Sequence, residues 1–204
     1  MKRYPRPTLQ LTVLMLLTMG TMALLGCGAF GQGQDLPTPR WGMGVAASNG
    51  RIFLMGGVDR HGHRLSTVEA YDPRTNRWQR RAAMPTPRNL LATAVAPDGR
   101  IYAVGGVCEC NKTCRSLDTV EVYDPGQDAW TPRASLPAGR HSLILAATPN
   151  GHLFAMGGVS WHKADEDNPG GCASDYPLPD VDEYDPVTDT WTPRSGTRPE
   201  IISQ

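Results

Sequence analysis

The sequence predicts an all-β fold, three four-stranded antiparallel sheets built from one repeated unit. Three observations carry that reading. Of 204 residues, 22 are Gly and 18 are Pro, which favours short strands joined by many turns over long helices. From Leu36 onward the chain repeats itself. The first copy reads LPTPR, VAASNGRIFLMGG and TVEAYDPRTNRW; the second MPTPR, AVAPDGRIYAVGG and TVEVYDPGQDAW; the third LPAGR, AATPNGHLFAMGG and DVDEYDPVTDTW. Each copy also places turn pairs at the same points, Asn49-Gly50, Asp98-Gly99 and Asn150-Gly151, which tolerate positive φ and close tight hairpins. The 40% apolar fraction is enough to supply a core.

The elements follow in order within each copy. A first apolar strand (Gly44–Ala47, Leu91–Ala96, Leu143–Ala147) runs into the hairpin pair, and a second (Ile52–Met55, Ile101–Val104, Leu153–Met156) ends in a diglycine. Glycine at 56–57, 105–106 and 157–158 predicts a backbone that another element approaches closely. The third strand carries Val-Glu-x-Tyr or Val-Asp-Glu-Tyr, and Asp-Pro then opens a turn. The fourth strand begins at Trp78, Trp130 or Trp191.

A diglycine, a Tyr and a Trp seven residues after it (71/78, 123/130, 184/191), at a period near fifty, resemble the kelch repeat. The resemblance covers residues 36 to about 195 and implies that each copy is one blade of a β-propeller. It gives the Tyr, Trp and diglycine packing roles. The blades are then 36–82, 83–134 and 135–195, with 196–204 as a tail where a further blade would start.

Spacing shows which part of the blade varies. From Arg40, Arg88 and Arg140 to the diglycine the intervals are 16, 17 and 17, and from Trp78 to Arg88 and Trp130 to Arg140 both are 10. From the first Gly to the Tyr they grow through 15, 18 and 27. Growth is confined to the loops between second and third strands, 58–66, 107–117 and 159–179. In an antiparallel blade these lie on the same side as the fourth-to-first connection. Recognition usually resides in such loops on a rigid scaffold. Arg40, Arg88 and Arg140 stand at that connection, with two readings: scaffold groups paired to an acid, or contacts to an anionic ligand. Glu69, Glu121 and Glu183 repeat alongside them.

The N-terminus reads as an export segment. Lys2, Arg3 and Arg6 precede the uncharged run Leu11–Leu25, whose 15 residues are short for the roughly 20 a membrane-spanning helix needs. Leu24-Leu25-Gly26-Cys27 resembles the lipobox of bacterial lipoproteins, which implies Cys27 as the lipid-modified first residue. Residues 1–26 are then a signal peptide, 27–35 a tether, and the chain is expected in the cell envelope, outside the cytoplasm, on a bacterial membrane. Cys108, Cys110, Cys114 and Cys172 lie in variable loops, where an oxidising compartment favours disulfides; four cysteines allow three pairings. Cys-x-Cys-x3-Cys is not the usual zinc knuckle spacing.

Twenty basic and twenty acidic residues cancel, and no basic tract appears, which disfavours nucleic acid as partner. No catalytic constellation, metal site or cofactor is expected: His61-x-His63 reads as a polar loop tip and Asp165-Glu166-Asp167 as a solvated charge run. The expected function is a membrane-anchored module that binds protein or carbohydrate, including anionic ligands, through its loop side. The alternative is an enzyme, or part of one, acting on sugars like the oxidases and sialic-acid epimerases among kelch-type propellers. Closed propellers hold about 4–8 blades, so three blades predict either an interrupted array or a homodimer completing a six-bladed ring.

Overall fold

A computed structural model describes residues 34–110, 113–160 and 176–194. The signal segment, Cys27, Cys172 and the tail 196–204 lie outside the described residues. A compact unit begins at Leu36. Among the described residues no helix is long and apolar enough to cross a membrane.

Blade 1 is the meander β1 (Gly44–Ser48), β2 (Arg51–Met55), β3 (Val68–Asp72) and β4 (Arg77–Arg81), paired in that order. Blade 2 contains β5 (Ala92–Val95), β6 (Ile101–Val104), β9 (Val120–Asp124) and β10 (Ala129–Arg133), again neighbour to neighbour. Between β6 and β9 its loop folds into a separate hairpin, β7 (Val107–Cys110) with β8 (Thr113–Ser116). Blade 3 is β11 (Ile144–Ala147), β12 (Leu153–Met156), β15 (Val181–Asp185) and β16 (Thr190–Pro193). Its loop carries a two-residue pair, β13 (Val159–Ser160) and β14 (Tyr176–Pro177). The fourth strands start one residue earlier than the Trp that marks them in the sequence.

The core lies between blades. One cluster joins Ala46, Phe53, Met55, Val68 and Ala70 of blade 1 to Ile101, Ala103 and Tyr123 of blade 2. A second joins Tyr102, Val104, Val120 and Val122 of blade 2 to Leu153, Ala155 and Tyr184 of blade 3. Strand alternation makes this possible, since successive residues of each second strand point to opposite neighbours. The innermost strands β1, β5 and β11 stand side by side.

Polar groups lock the junctions. Asp128 accepts the Ala82 N–H and the Tyr123 hydroxyl, at 2.9 and 2.6 Å, while the Trp130 indole donates to the Ala82 carbonyl at 2.9 Å. Blade 3 repeats the arrangement on blade 2. Asp189 accepts from Ala134 N–H and Tyr184, and Trp191 donates to Ala134 O. Asp128 and Asp189 sit at φ 52° and 54°, a left-handed conformation that Asp and Asn tolerate. Arg81 adds a hydrogen bond to the Tyr123 hydroxyl at 3.0 Å.

The diglycines answer the close approach predicted for them. Gly57 N–H donates to the Arg88 carbonyl and Gly106 N–H to the Arg140 carbonyl, both at 2.9 Å, so the first two diglycines abut the next blade's backbone. A Cβ on Gly105 would collide with the Arg140 carbonyl, and φ there is 64°. Only glycine fits both demands.

Candidate functional site

The second-to-third and fourth-to-first connections share one side of the array. Blade 1 ties them directly: Leu65 N–H donates to Gly57 O, Arg88 N–H to Leu65 O and Met84 N–H to Ser66 O. Blade 2 repeats this through Leu117, Arg140 and Leu136. Short backbone bridges Trp41–Val58, Asn89–Val107 and His141–Val159 seat each loop beside the residue that follows the repeated arginine.

The arginines themselves point inward. The side chains of Arg40, Arg88 and Arg140 are all 0% exposed. Arg88 donates to the Gly105, Thr119 and Ala103 carbonyls and pairs with Glu121 at 2.6 Å. Arg40 donates to Thr38, Gly56 and Thr67 carbonyls and pairs with Glu69 at 2.6 Å. Thr38 and Thr86 donate to the second oxygens of Glu69 and Glu121, which explains the Thr of the Pro-Thr-Pro-Arg lead-in. Burial pushes the Arg40 and Arg88 guanidiniums downward, and the facing glutamates oppose that shift. Both remain cations because an arginine starts so far above neutrality. Of the two readings of the arginines, the geometry is that of scaffold groups.

One sequence equivalence needs correction. Arg140 pairs with Asp182 at 2.7 Å, with Asp180 at 3.8 Å, and not with Glu183. Counting back from the tyrosines, Asp182 stands where Glu69 and Glu121 stand, and Glu183 falls on the other face of its strand, opposite Phe154. There Glu183 accepts from His152 at 2.7 Å and from Arg194. The Arg194 contact holds its carboxyl below the usual range, with His152 contributing.

The blade 1 loop is preorganised around Asp59. Its carboxylate accepts the His61 and His63 backbone N–H groups at 2.8 and 2.9 Å, and its second oxygen lies 3.2 Å from His63 Nδ1. These bonds, led by that from His63 N–H, hold the Asp59 carboxyl below its ordinary range. Arg60, His61 and His63 are thereby presented to solvent on a fixed turn. Beside it Trp41 is 59% exposed, while its counterparts Asn89 and His141 are buried. Position 41 gave no signal in the repeat pattern, since Trp, Asn and His share no chemistry there.

Ser116 and His141 form a buried pair across blades 2 and 3, Oγ to Nδ1 at 3.0 Å. Both side chains are closed to solvent, so the pair acts as a tie between blades. Cys108 is buried in β7, and Cys110 and Cys114 lie on the same hairpin. Among the described residues no group of three or more His, Cys, Asp or Glu gathers as a metal site. The opposite side offers a shallow recess of about 230 Å³ between blades 2 and 3, lined by Arg100, Tyr102, Asn150 and Pro186 among others.

Four-stranded antiparallel blades, stacked face to face with their inner strands side by side, define an all-β array of propeller blades. The kelch motif model matches residues 39–85 and 88–137, and the chain is a kelch-repeat protein. It is 33% identical to Beta-scruin of Limulus polyphemus over 130 residues, 62% of this chain and 14% of that protein. It is 29% identical to Kelch-like protein 35 of Mus musculus over 153 residues, 74% of this chain and 22% of that protein. The chain thus spans less than a quarter of either relative. The solved structure of YjhT superposes with a TM-score of 0.62 at 18% identity, covering 80% of this chain and 54% of that one. At that identity the likeness is one of fold.

Proposed function

We propose that this chain is a non-enzymatic binding module, exported and held at a membrane through Cys27, that engages a protein partner by its loop side. The observation that carries the reading is the confinement of variation. Three blades keep one register, while the segments between second and third strands differ in length and each builds its own structure: a turn on Asp59, the β7–β8 hairpin, and the β13–β14 pair. A rigid frame with divergent loops on one side is how scaffolds present recognition surfaces. Export and anchoring rest on the basic start, the apolar run and Leu-Leu-Gly-Cys. Two or more acyl groups on Cys27 would hold the chain stably, where one chain binds marginally.

A carbohydrate ligand is the second reading, favoured by Trp41. An indole 59% exposed beside a fixed polar turn offers a flat apolar face edged by donors, and amphipathic aromatics serve binding surfaces in this way.

Photo-crosslinking residues placed at Arg60 and, separately, at Asn49 on the opposite side test the surface in intact cells. The expected result is a discrete protein adduct from Arg60 only. Adducts solely from Asn49 would overturn the assignment of the loop side. Mass spectrometry of the processed N-terminus tests the anchor, and an unmodified peptide starting elsewhere than Cys27 would end it.

A further inference from the structure

His61 and His63 stand on one tight turn of blade 1, both exposed, with ring centres 6.1 Å apart and planes tilted by 37°. We propose that these two imidazoles bind a divalent first-row transition metal of the Zn(II), Ni(II) and Cu(II) class, with water in its remaining positions.

The turn builds the pair. Val58 and Arg64 form its closing bridge, and beyond them Asp59 N–H donates to His63 O and Gly62 N–H to Asp59 O, both at 3.1 Å. Gly62 takes a φ of 85°, which glycine adopts without steric cost. One oxygen of Asp59 accepts the backbone N–H of both histidines, so the two ligand positions hang from a single anchor.

The same carboxylate sets the chemistry of His63. Its second oxygen lies 3.2 Å from Nδ1. An ionised carboxylate only accepts, so a neutral His63 keeps its proton on Nδ1 and presents the Nε2 lone pair on a side chain that is 75% exposed. A carboxylate behind the far nitrogen is the arrangement that orients metal-binding histidines and raises their basicity. His61 Nε2 accepts from Arg60 Nε at 3.0 Å. That contact is exposed, so a metal taking Nε2 displaces a bond that water readily replaces. Arg60 is thus the competitor of the site and Asp59 its support.

Reach and donor type agree. A metal bonded to each nitrogen at about 2.0–2.1 Å holds two ring centres no more than about 6.4 Å apart. The observed separation falls inside that limit, and small rotations of two exposed rings narrow the angle at the metal. Imidazole donors select Zn(II), Ni(II) or Cu(II) over calcium and magnesium, which take oxygen. No third His, Cys, Asp or Glu gathers here among the described residues, which leaves the site open, unlike a closed structural centre.

Calorimetric titration of the full chain, untagged and in mild detergent, with Ni(II) alone tests the site. One saturable equivalent is expected, reversed by a chelator and lost in His61→Ala and in His63→Ala separately. Asp59→Asn should weaken it about 10–100-fold, and Arg60→Ala should strengthen it. Trp41 exchanges both backbone bonds with Val58, so Ni(II) should quench its fluorescence, and Trp41→Phe should remove the quenching while leaving the heat of binding. His61→Gln and His63→Gln replace any alanine variant that does not fold by circular dichroism. No binding, binding retained in either histidine variant, or an affinity indifferent to both Asp59 and Arg60 would each overturn the proposal.

Discussion

The indole of Trp130 reaches out of its own blade and donates its N–H to the carbonyl of Ala82, 48 residues earlier, at 2.9 Å. Trp191 does the same to Ala134. These bonds cap the last strand of one blade with the ring of the next, so a residue that marks the repeat in sequence also counts the junctions in space. Trp130→Phe retains most of the apolar contact and leaves the Ala82 carbonyl without its partner. A loss of about 1–3 kcal/mol is expected, read from the denaturant midpoint at unchanged slope.

Arg88 and Glu121 form a pair that neither residue can lose alone. Both are sealed from solvent, and removing either leaves a buried charge. Arg88→Ala and Glu121→Ala should each destabilise by about 3–5 kcal/mol. Replacing both with apolar side chains of similar volume should cost less than either single change. A double-mutant cycle by chemical denaturation checks the inequality; additive losses would show that the two charges are not coupled.

Acid should loosen the junctions before it affects the blade interiors. The Tyr123 hydroxyl, and after it the Ala82 N–H, hold the Asp128 carboxyl below its ordinary value; Ala134 N–H and then Tyr184 do so for Asp189. A depressed folded pKa contributes stability that is present above the unfolded pKa, about 3.9, and is lost as pH falls through the folded value. Tyr123, raised by burial to about 12, stays neutral throughout that window. Asp128→Asn should therefore flatten the acid limb of the stability curve below about pH 4 while preserving geometry, as Asn76 does naturally in blade 1. An unchanged acid limb would mean the carboxylate contributes nothing.

Glycine substitutions should separate covered from uncovered diglycines. Gly105→Ala forces its methyl into the Arg140 carbonyl on top of the left-handed backbone, whereas a methyl on Gly157 meets, among the described residues, only the Leu178 carbonyl at 3.6 Å and adds little to the backbone penalty of roughly 1–2 kcal/mol. The thermal midpoint should fall markedly further for the first.

The strands and turns were legible because alternation, turn pairs and diglycines are local signals repeated three times. The side on which the loops lie was legible from spacing alone. What escaped depends on register. Glu183 matched Glu69 and Glu121 by residue type, yet it stands one place nearer its tyrosine, and in a strand one place is the opposite face. The β7–β8 hairpin gave no alternating apolar pattern over Cys-Glu-Cys-Asn-Lys-Thr-Cys, so it read as loop. The inward aim of the arginines was invisible as well, since a guanidinium suits a buried glutamate as readily as an external anion. The aspartates of the junctions were missed although they sit two residues before each Trp. Their partners are backbone groups of a different blade, which no local pattern displays.

Because apolar clusters sit between blades and not inside them, protection from solvent is unequal along the chain. Phe53 of blade 1 and Tyr184 of blade 3 each have one covering neighbour, whereas blade 2 buries Tyr102 on one side and Tyr123 on the other. Among the described strands, amide hydrogens of β6 and β9 should be the last to exchange, and β4 and β16 the first. Blade 2 is thus the kinetic anchor of the three described blades, and opening among them should proceed inward from blades 1 and 3, as an unzipping stack rather than a single melting core.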